Sequence, residues 1–207
     1  MDTEQCGGEE ERDAQRGARK HRAPRNPQAR KEKIVEAAAE VLITEGRQKF
    51  THRRIAEKAG VPLGSTTQYF ESIDSLRMAG LARISDQLKR SYRELAEEVC
   101  AAKGDMAAVA RSMHAYLAVK ENVFGESALY SAAVYNPDVR GLVADAHEAF
   151  IEGCSPLLTR LQAVAVCTFL DGATVHAMLD GSVYSEAFLA ETLSALVRTS
   201  ADRPDAG

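Results

Sequence analysis

Apolar residues recur along most of the chain at the three- and four-residue spacing of amphipathic helices. In the first segment, residues 30–46, Ile34, Ala38, Val41 and Leu42 stand at i, i+4, i+7 and i+8 and form one apolar stripe. Further helical segments are predicted over residues 51–59, 63–69, 73–103, 105–117, 122–136, 137–153, 156–181 and 185–198. No stretch alternates with the period of two that marks a strand. The pattern predicts an all-α fold.

Residues 51–76 contain the most specific local signal, THRRIAEKAGVPLGSTTQYFESIDSL. Thr51 can cap a short helix, and Gly60 can end that helix in the left-handed conformation. A second short helix follows over residues 63–69 and is built from small and polar residues that have little to bury. This spacing predicts a helix-turn-helix whose second helix can approach the DNA major groove.

The same region, over about residues 30–76, resembles the DNA-binding segment of TetR-type transcriptional regulators. The residues that carry the resemblance are Thr51, Arg53, Ile55, Ala56, Ala59, Gly60, Val61, Gly64, Tyr69, Phe70 and Leu76. The chain departs from the family at Pro62, Thr67 and Ile73, where a serine or threonine cap, a tyrosine and a lysine are common. These departures weaken the phosphate or base contacts that the family makes at the last two positions, but they do not threaten the fold.

The resemblance implies a three-helix helix-turn-helix head on a larger C-terminal helical body that binds a ligand and dimerises. We therefore expect three parts: a disordered basic arm over residues 1–28, the DNA-binding domain over 29–76 and the body over 77–207. Residues 12–33 carry nine Lys/Arg against two Asp/Glu. The arm either follows DNA phosphates and enters the minor groove or is a solvated tail.

Charge is distributed unevenly over the 207 residues. The net charge is −4, yet residues 29–80 carry +2 and residues 81–207 carry −6. A local basic face on an acidic protein is typical of a specific DNA binder with a regulatory body. The four cysteines form no C-x-x-C pair, the N-terminus lacks an apolar signal core, and no apolar run reaches 18 residues. We therefore expect a cytoplasmic protein with free thiols and no membrane span.

Base reading is expected from the second helix of the head, with Arg53 reaching in from the first. An arginine can bind guanine through two hydrogen bonds, and Gln68 can pair with adenine. Hydroxyl groups of Thr51, Ser65 and Tyr69 suit phosphates. The expected DNA contacts are Arg25, Arg30, Thr51, Arg53, Leu63, Gly64, Ser65, Thr66, Thr67, Gln68 and Tyr69. The alternative is a helix pair that only packs.

The family's general plan implies a pocket for an inducer within the C-terminal helices. Large or polar residues on otherwise apolar helices are the candidates for its wall, because small-molecule sites combine the two kinds of surface. They are Met113, Tyr116, Phe124, Tyr130, Tyr135, His147, Phe169 and His176. The alternative is that they are ordinary core residues, since aromatic and methionine residues at helical spacing are more often core than ligand wall; for His176 it is a core or interface histidine.

The resemblance also implies a homodimer, in which the last two long helices form a four-helix bundle with their copies. Both helices are apolar over more than one face, and small residues allow close approach. The expected interface residues are Ala165, Phe169, Gly172, Ala173, Ala177, Leu189, Leu193 and Leu196. A monomer with an all-helical core is the alternative.

These features predict a homodimeric repressor that a small, apolar ligand releases from a palindromic operator in double-stranded DNA. A constitutive DNA-binding regulator or activator without an inducer is the alternative. Asp145, His147 and Glu148, and the stretch from Asp171 to His176, lack the spacing of metal and catalytic motifs such as H-E-x-x-H. No phosphate-binding glycine loop or G-x-S-x-G is present, so we expect neither an enzyme nor a bound metal or cofactor.

Overall fold

The computed structural model describes residues 26–199, which fold into nine α-helices without a strand. The helices are Pro27–Thr44 (α1), His52–Ala59 (α2), Leu63–Tyr69 (α3), Ile73–Ala101 (α4), Met106–Ala118 (α5), Lys120–Ala133 (α6), Pro137–Gly153 (α7), Arg160–Asp180 (α8) and Glu186–Thr199 (α9). A single 3-10 turn over Arg47–Lys49 separates α1 from α2. The all-α prediction is confirmed for this part of the chain.

The helices of the head begin and end at local signals. Asn26 accepts hydrogen bonds from two amides of the first turn of α1, and Pro27 occupies its first position. The helix therefore starts three residues earlier than predicted, inside the segment that we assigned to the arm. Thr51 caps α2 through the amide of Arg54, and Gly60 ends α2 with a φ of 63°. Both roles agree with the sequence prediction.

α4 connects the head to the body. It packs against α1 on the head side and against α5, α6 and α7 in the body. Ile34, Ile55 and Leu76 are fully buried in the small core of the head. At Gly80 the two helices approach so closely that an added Cβ would lie 3.3 Å from the backbone of Ala38. Movement of α1 is therefore coupled to movement of the long helix.

The body is a bundle in which α8 lies among α5, α6, α7 and α9. α8 begins at Arg160 rather than at the predicted residue 156, because Thr159 and Gln162 form a capping box there. By length and mean hydropathy α8 would also qualify to cross a membrane, although part of it is buried in the bundle. Such a helix in the core of a bundle is weak support for a membrane span.

One face of α8 is apolar and uncovered. Leu161, Val164, Val175 and Leu179 share it, and Leu179 is 70% exposed; Phe188 of α9 is exposed beside it. We call these five residues the α8 stripe. Three residues predicted for the dimer interface, Ala173, Leu189 and Leu193, are instead buried in the core of the same chain. That part of the prediction is corrected, because in a helix apolar on several faces the sequence does not distinguish core from outer face. Ala165, Phe169, Ala177 and Leu196 are half-buried and Gly172 is exposed.

Candidate DNA-reading head and ligand cavity

The outer face of α3 presents Leu63, Gly64, Thr67 and Gln68 to solvent. All four are among the residues predicted to read DNA. A Cβ added at Gly64 would meet no heavy atom within 4 Å, so the protein itself does not require glycine there. Apart from Leu63, the α3 face consists of small or polar residues, which suit a surface that lies against base edges.

Ser65 and Thr66 are corrections to the predicted DNA contacts. Both are buried, with 6% and 0% of their surface exposed. The Thr66 hydroxyl donates to the carbonyl of Leu63 at 2.8 Å and lies 3.1 Å from Nδ1 of His52. In a helix of seven residues two adjacent positions must face the core, and small polar residues there are satisfied inside the protein.

Two adjacent arginines of α2 have different surroundings. Arg54 forms ion pairs with Glu45 at 2.7 Å and with Glu57 at 3.1 Å. The hydrogen bond from Arg54 lowers the pKa of Glu45. Arg53 is exposed and makes no ion pair or hydrogen bond within residues 26–199. Arg53 is therefore free to bind an external partner, whereas Arg54 fixes α2 to the end of α1.

The other predicted DNA contacts surround the α3 face. Thr51 is exposed although its hydroxyl oxygen accepts from an amide, and Tyr69 is half-buried. Arg30 is half-exposed in the first turn of α1. Arg25 lies outside the described residues. Pro62 precedes α3 and gives it no side-chain cap, so the first amides of the helix have no side-chain acceptor.

A buried carboxylate lies inside the body. Glu126 of α6 is 2% exposed, and its Oε1 accepts a hydrogen bond from the hydroxyl of Tyr116 at 2.5 Å. Its Oε2 has no hydrogen-bond partner. Burial raises the pKa of Glu126 to about 7, although the bond from Tyr116 acts in the opposite direction. The nearby hydroxyl of Thr174 also lowers the pKa of Glu126, although it makes no hydrogen bond to Oε2.

A second carboxylate, Asp171 of α8, is the acceptor of a polar network. Its Oδ1 accepts from the hydroxyls of Tyr92 at 3.0 Å and Tyr130 at 2.8 Å, and Nε2 of His147 lies 3.4 Å away. Although burial opposes ionisation, the bonds from His147, Tyr130 and Tyr92 hold the pKa of Asp171 below its usual value. The hydrogen bond to Asp171 raises the pKa of His147. Three polar groups therefore converge on one oxygen of Asp171.

Two cavities meet at Glu126. The inner one, about 130 Å³, lies between α4, α5, α6 and α8 and is lined in part by Tyr92, Met113 and Leu170. The outer one, about 470 Å³, lies between α1, α4 and α6. Ser91, Glu94, Tyr116 and Glu126 line both. The outer cavity is of ligand size and touches the head directly.

The structure places the eight residues predicted for the ligand pocket in four regions. Met113 and Tyr116 line the inner cavity, and Tyr130 and His147 belong to the Asp171 network. Phe124 and Tyr135 line a separate groove of about 870 Å³ beside α1 and α4. Phe169 packs on Phe188, and His176 packs on Tyr184 near the α8 stripe.

His147, Cys167 and Asp171 also form a group with metal-ligand chemistry. One potential ligand atom from each lies within 4.8 Å of the other two. Burial raises the pKa of the Cys167 thiol, so the thiol is protonated in the absence of a metal. The sequence did not predict this group, because its members come from two helices and follow no motif spacing.

Glu126 was also missed by the sequence prediction. A signal for it exists, since Val123, Glu126 and Leu129 follow one another at a three-residue spacing and are all buried. A carboxylate inside an apolar stripe indicates a buried charge that needs a partner.

Comparison with known proteins covers both parts of the chain. Residues 34–79 match the family model for bacterial regulatory proteins of the tetR family. No curated protein gives a significant match to the sequence. A solved structure of the multidrug binding protein EbrR with ethidium is 29% identical, covers 81% of this chain and 98% of its own, and has a TM-score of 0.65.

Two Streptomyces coelicolor structures are also similar. SCO1917, a member of the TetR family, is 28% identical over 81% of this chain and 98% of its own, with a TM-score of 0.64. The transcriptional regulator SCO7518 is 24% identical over 82% and 98%, with a TM-score of 0.68, and shares the fold. The helix-turn-helix, the family match over residues 34–79 and these shared folds agree: the chain carries the DNA-binding domain of the tetR family of bacterial regulatory proteins, on a body that has the fold of solved members.

Proposed function

We propose that the protein is a cytoplasmic, homodimeric repressor that binds a palindromic operator and is released from it by a small molecule. The observation that carries the proposal is the position of the outer cavity. Glu36, Glu40 and Ile43 of α1 line one side of it, and residues of α4 and α6 line the other. A ligand there contacts the DNA-reading head and the body at once.

The α8 stripe supports the dimer. Four large aliphatic side chains on one helix face, with Phe188 beside them, are an exposed apolar surface of the kind that marks an interface. A second copy related by two-fold symmetry would bury the same stripe on both partners. The same symmetry sets two α3 faces against successive major grooves, about 34–36 Å apart, which is the geometry that reads an inverted repeat.

Release follows from the coupling between α1 and α4. A ligand favours the arrangement that gives it more contacts, and it can shift the equilibrium only by the difference between its affinities for the two arrangements. Because Gly80 holds α4 close to Ala38, a ligand that separates α1 from α6 also changes the tilt of α4. The two heads of a dimer then no longer match the spacing of the operator.

The similarity to EbrR supports a small-molecule effector. That protein has been solved with ethidium, with proflavin and with malachite green. A constitutive regulator without an effector needs no cavity of ligand size between α1, α4 and α6. We therefore propose the ligand-responsive function rather than the constitutive one.

The test is the fluorescence anisotropy of labelled DNA from the region beside the protein's own gene, titrated at two salt concentrations against a scrambled duplex. We expect tight binding to the first duplex alone, weakened by salt. Sedimentation of the free protein should give a dimer. Equal weak binding to both duplexes, or a monomer under all conditions, would refute the proposal.

A further inference from the structure

We infer that the effector is an organic cation with a flat apolar part, and that its positive charge lies against Oε2 of Glu126. The inference rests on the proposed function, because it assigns a ligand class to the same cavity. It starts from the one buried side-chain oxygen that lacks a hydrogen bond within residues 26–199.

The state of Glu126 points to a partner that is external to the protein. A buried carboxylate whose oxygen makes no hydrogen bond is costly, and proteins ordinarily provide such a group with a donor. Oδ1 of Asp171 accepts from Tyr92 and Tyr130 and lies 3.4 Å from His147, whereas Oε1 of Glu126 accepts from Tyr116 and Oε2 of Glu126 has no hydrogen-bond partner within residues 26–199. Oε2 of Glu126, at the junction of the two cavities, is therefore available to a hydrogen-bond donor or a positive charge of a ligand.

The walls around this oxygen suit a flat cation. Tyr92 and Tyr116 supply aromatic surfaces, and Met113 and Leu170 supply apolar ones. Aromatic faces attract cations through their quadrupole, and the attraction is strongest where water is excluded. A neutral apolar molecule would use the same walls but would leave the carboxylate without a partner.

The entrance carries the charge that would attract such a ligand. The outer cavity is lined by Glu36, Glu40, Glu94 and Glu121 in addition to Glu126, and by a single basic residue, Arg90. Two of these acids are neutralised, Glu36 by Arg83 and Glu40 by Lys58, and the rest are not paired with a base. An acidic cleft with low-dielectric walls concentrates cations.

Binding of a cation is also consistent with the burial of the Glu126 carboxylate. With a pKa near 7, Glu126 is partly protonated in the free protein and becomes fully ionised when a positive charge approaches. The ligand thereby displaces a proton. The groups facing Glu126 from the surrounding helices are Tyr92 and Glu94 of α4, Tyr116 of α5, Tyr130 of α6, His147 of α7 and Asp171 of α8.

The experiment compares proflavin, which is a cation near neutral pH, with acridine, its uncharged parent ring near pH 8. Fluorescence titrations at about pH 8 would use the wild-type protein, Glu126→Gln and Glu97→Gln. Glu97 is exposed, makes no ion pair within residues 26–199 and lines neither cavity, so the control makes the same chemical change outside the proposed contact. Circular dichroism would verify that each variant is folded.

We expect proflavin to bind the wild-type protein and Glu97→Gln equally and Glu126→Gln at least about tenfold more weakly, because a charge-assisted contact is lost. Acridine should bind weakly to all three. Unchanged affinity of Glu126→Gln for proflavin, equal binding of the two dyes, or no binding of proflavin to the wild-type protein would overturn the inference. Operator binding is measured without dye, so that measurement tests the proposed function independently of this inference.

A second measurement needs no variant of the carboxylate. Proflavin affinity of the wild-type protein should fall by about tenfold between pH 8 and pH 6, as Glu126 becomes protonated. The hydrogen bond to Asp171 raises the pKa of His147, so its protonation can also affect binding, and the pH dependence that remains in Glu126→Gln measures that contribution. A pH-independent affinity in the wild-type protein would contradict the assigned contact.

Discussion

Replacing Glu126 with glutamine should stabilise the protein at alkaline pH and lose that effect in acid. Burial raises the pKa of Glu126 from 4.5 to about 7. The folded state thus binds more protons than the unfolded state between these values, so stability falls as pH rises through this window. Below about pH 4.5 both states are protonated and the penalty is absent.

The magnitude follows from the size of the shift. A difference of one pKa unit is worth about 1.4 kcal/mol, so ionising Glu126 inside the folded protein costs about 3 kcal/mol at pH 8. Glutamine removes that cost but leaves an amide with an incomplete set of hydrogen bonds, at about 1–2 kcal/mol. The variant should gain roughly 1–2 kcal/mol at pH 8, and its advantage should change by about 3 kcal/mol between pH 8 and pH 4.5.

Urea unfolding followed by circular dichroism at several pH values would measure this difference. One protein concentration must be used throughout, because the stability of a dimer depends on it. Glu97→Gln serves as the control, since it changes the same charge at an exposed position. A difference between Glu126→Gln and the wild-type protein that does not vary with pH would refute the assignment of a buried, partly ionised carboxylate.

The remaining predictions concern the head and the α8 stripe. Arg53→Ala should weaken specific DNA binding by about 1–3 kcal/mol without lowering Tm, whereas Arg54→Ala should lower Tm because its ion pairs hold α2 to α1; equal effects of the two would contradict the distinction. Gly64→Ala should keep the fold, where a Cβ meets nothing, and should reduce operator affinity in the anisotropy assay. Leu179→Glu should give a folded monomer in sedimentation, while Ala173→Glu should unfold the protein because it buries a charge; a dimer in Leu179→Glu would place the interface elsewhere.

The head was predictable because its helices begin and end at residues whose preferences are local. Thr51 and Gly60 act as the sequence predicted, and the start of α1 was missed by only three residues, at a capping asparagine followed by proline. The inward orientation of Ser65 and Thr66 was not predictable. In a helix of seven residues the period is too short to fix which positions face the core.

The cluster in the body was not predictable for a different reason. Glu126 lies in α6 and Asp171 in α8, with the whole of α7 between them in the sequence. Only the packing of α6 against α8 brings their surroundings together. Tyr116 and Tyr130 were predicted as pocket residues, but Tyr92 and Glu126 were not. Phe124 and Tyr135, predicted for the same pocket, are exposed and line an outer groove instead, because helical spacing alone does not distinguish a buried position from an exposed one.

The measurement that tests the central claim most directly is selection of bound duplexes from a random-sequence library, with the wild-type protein and Arg53→Ala in parallel. A dimer that presents two α3 faces should enrich an inverted repeat whose half-sites lie about one helical turn apart, or a multiple of it. Arg53→Ala should lose preference at one position in each half-site. No enriched sequence, or a single unrepeated site, would contradict the proposal that two copies of this chain read a palindromic operator.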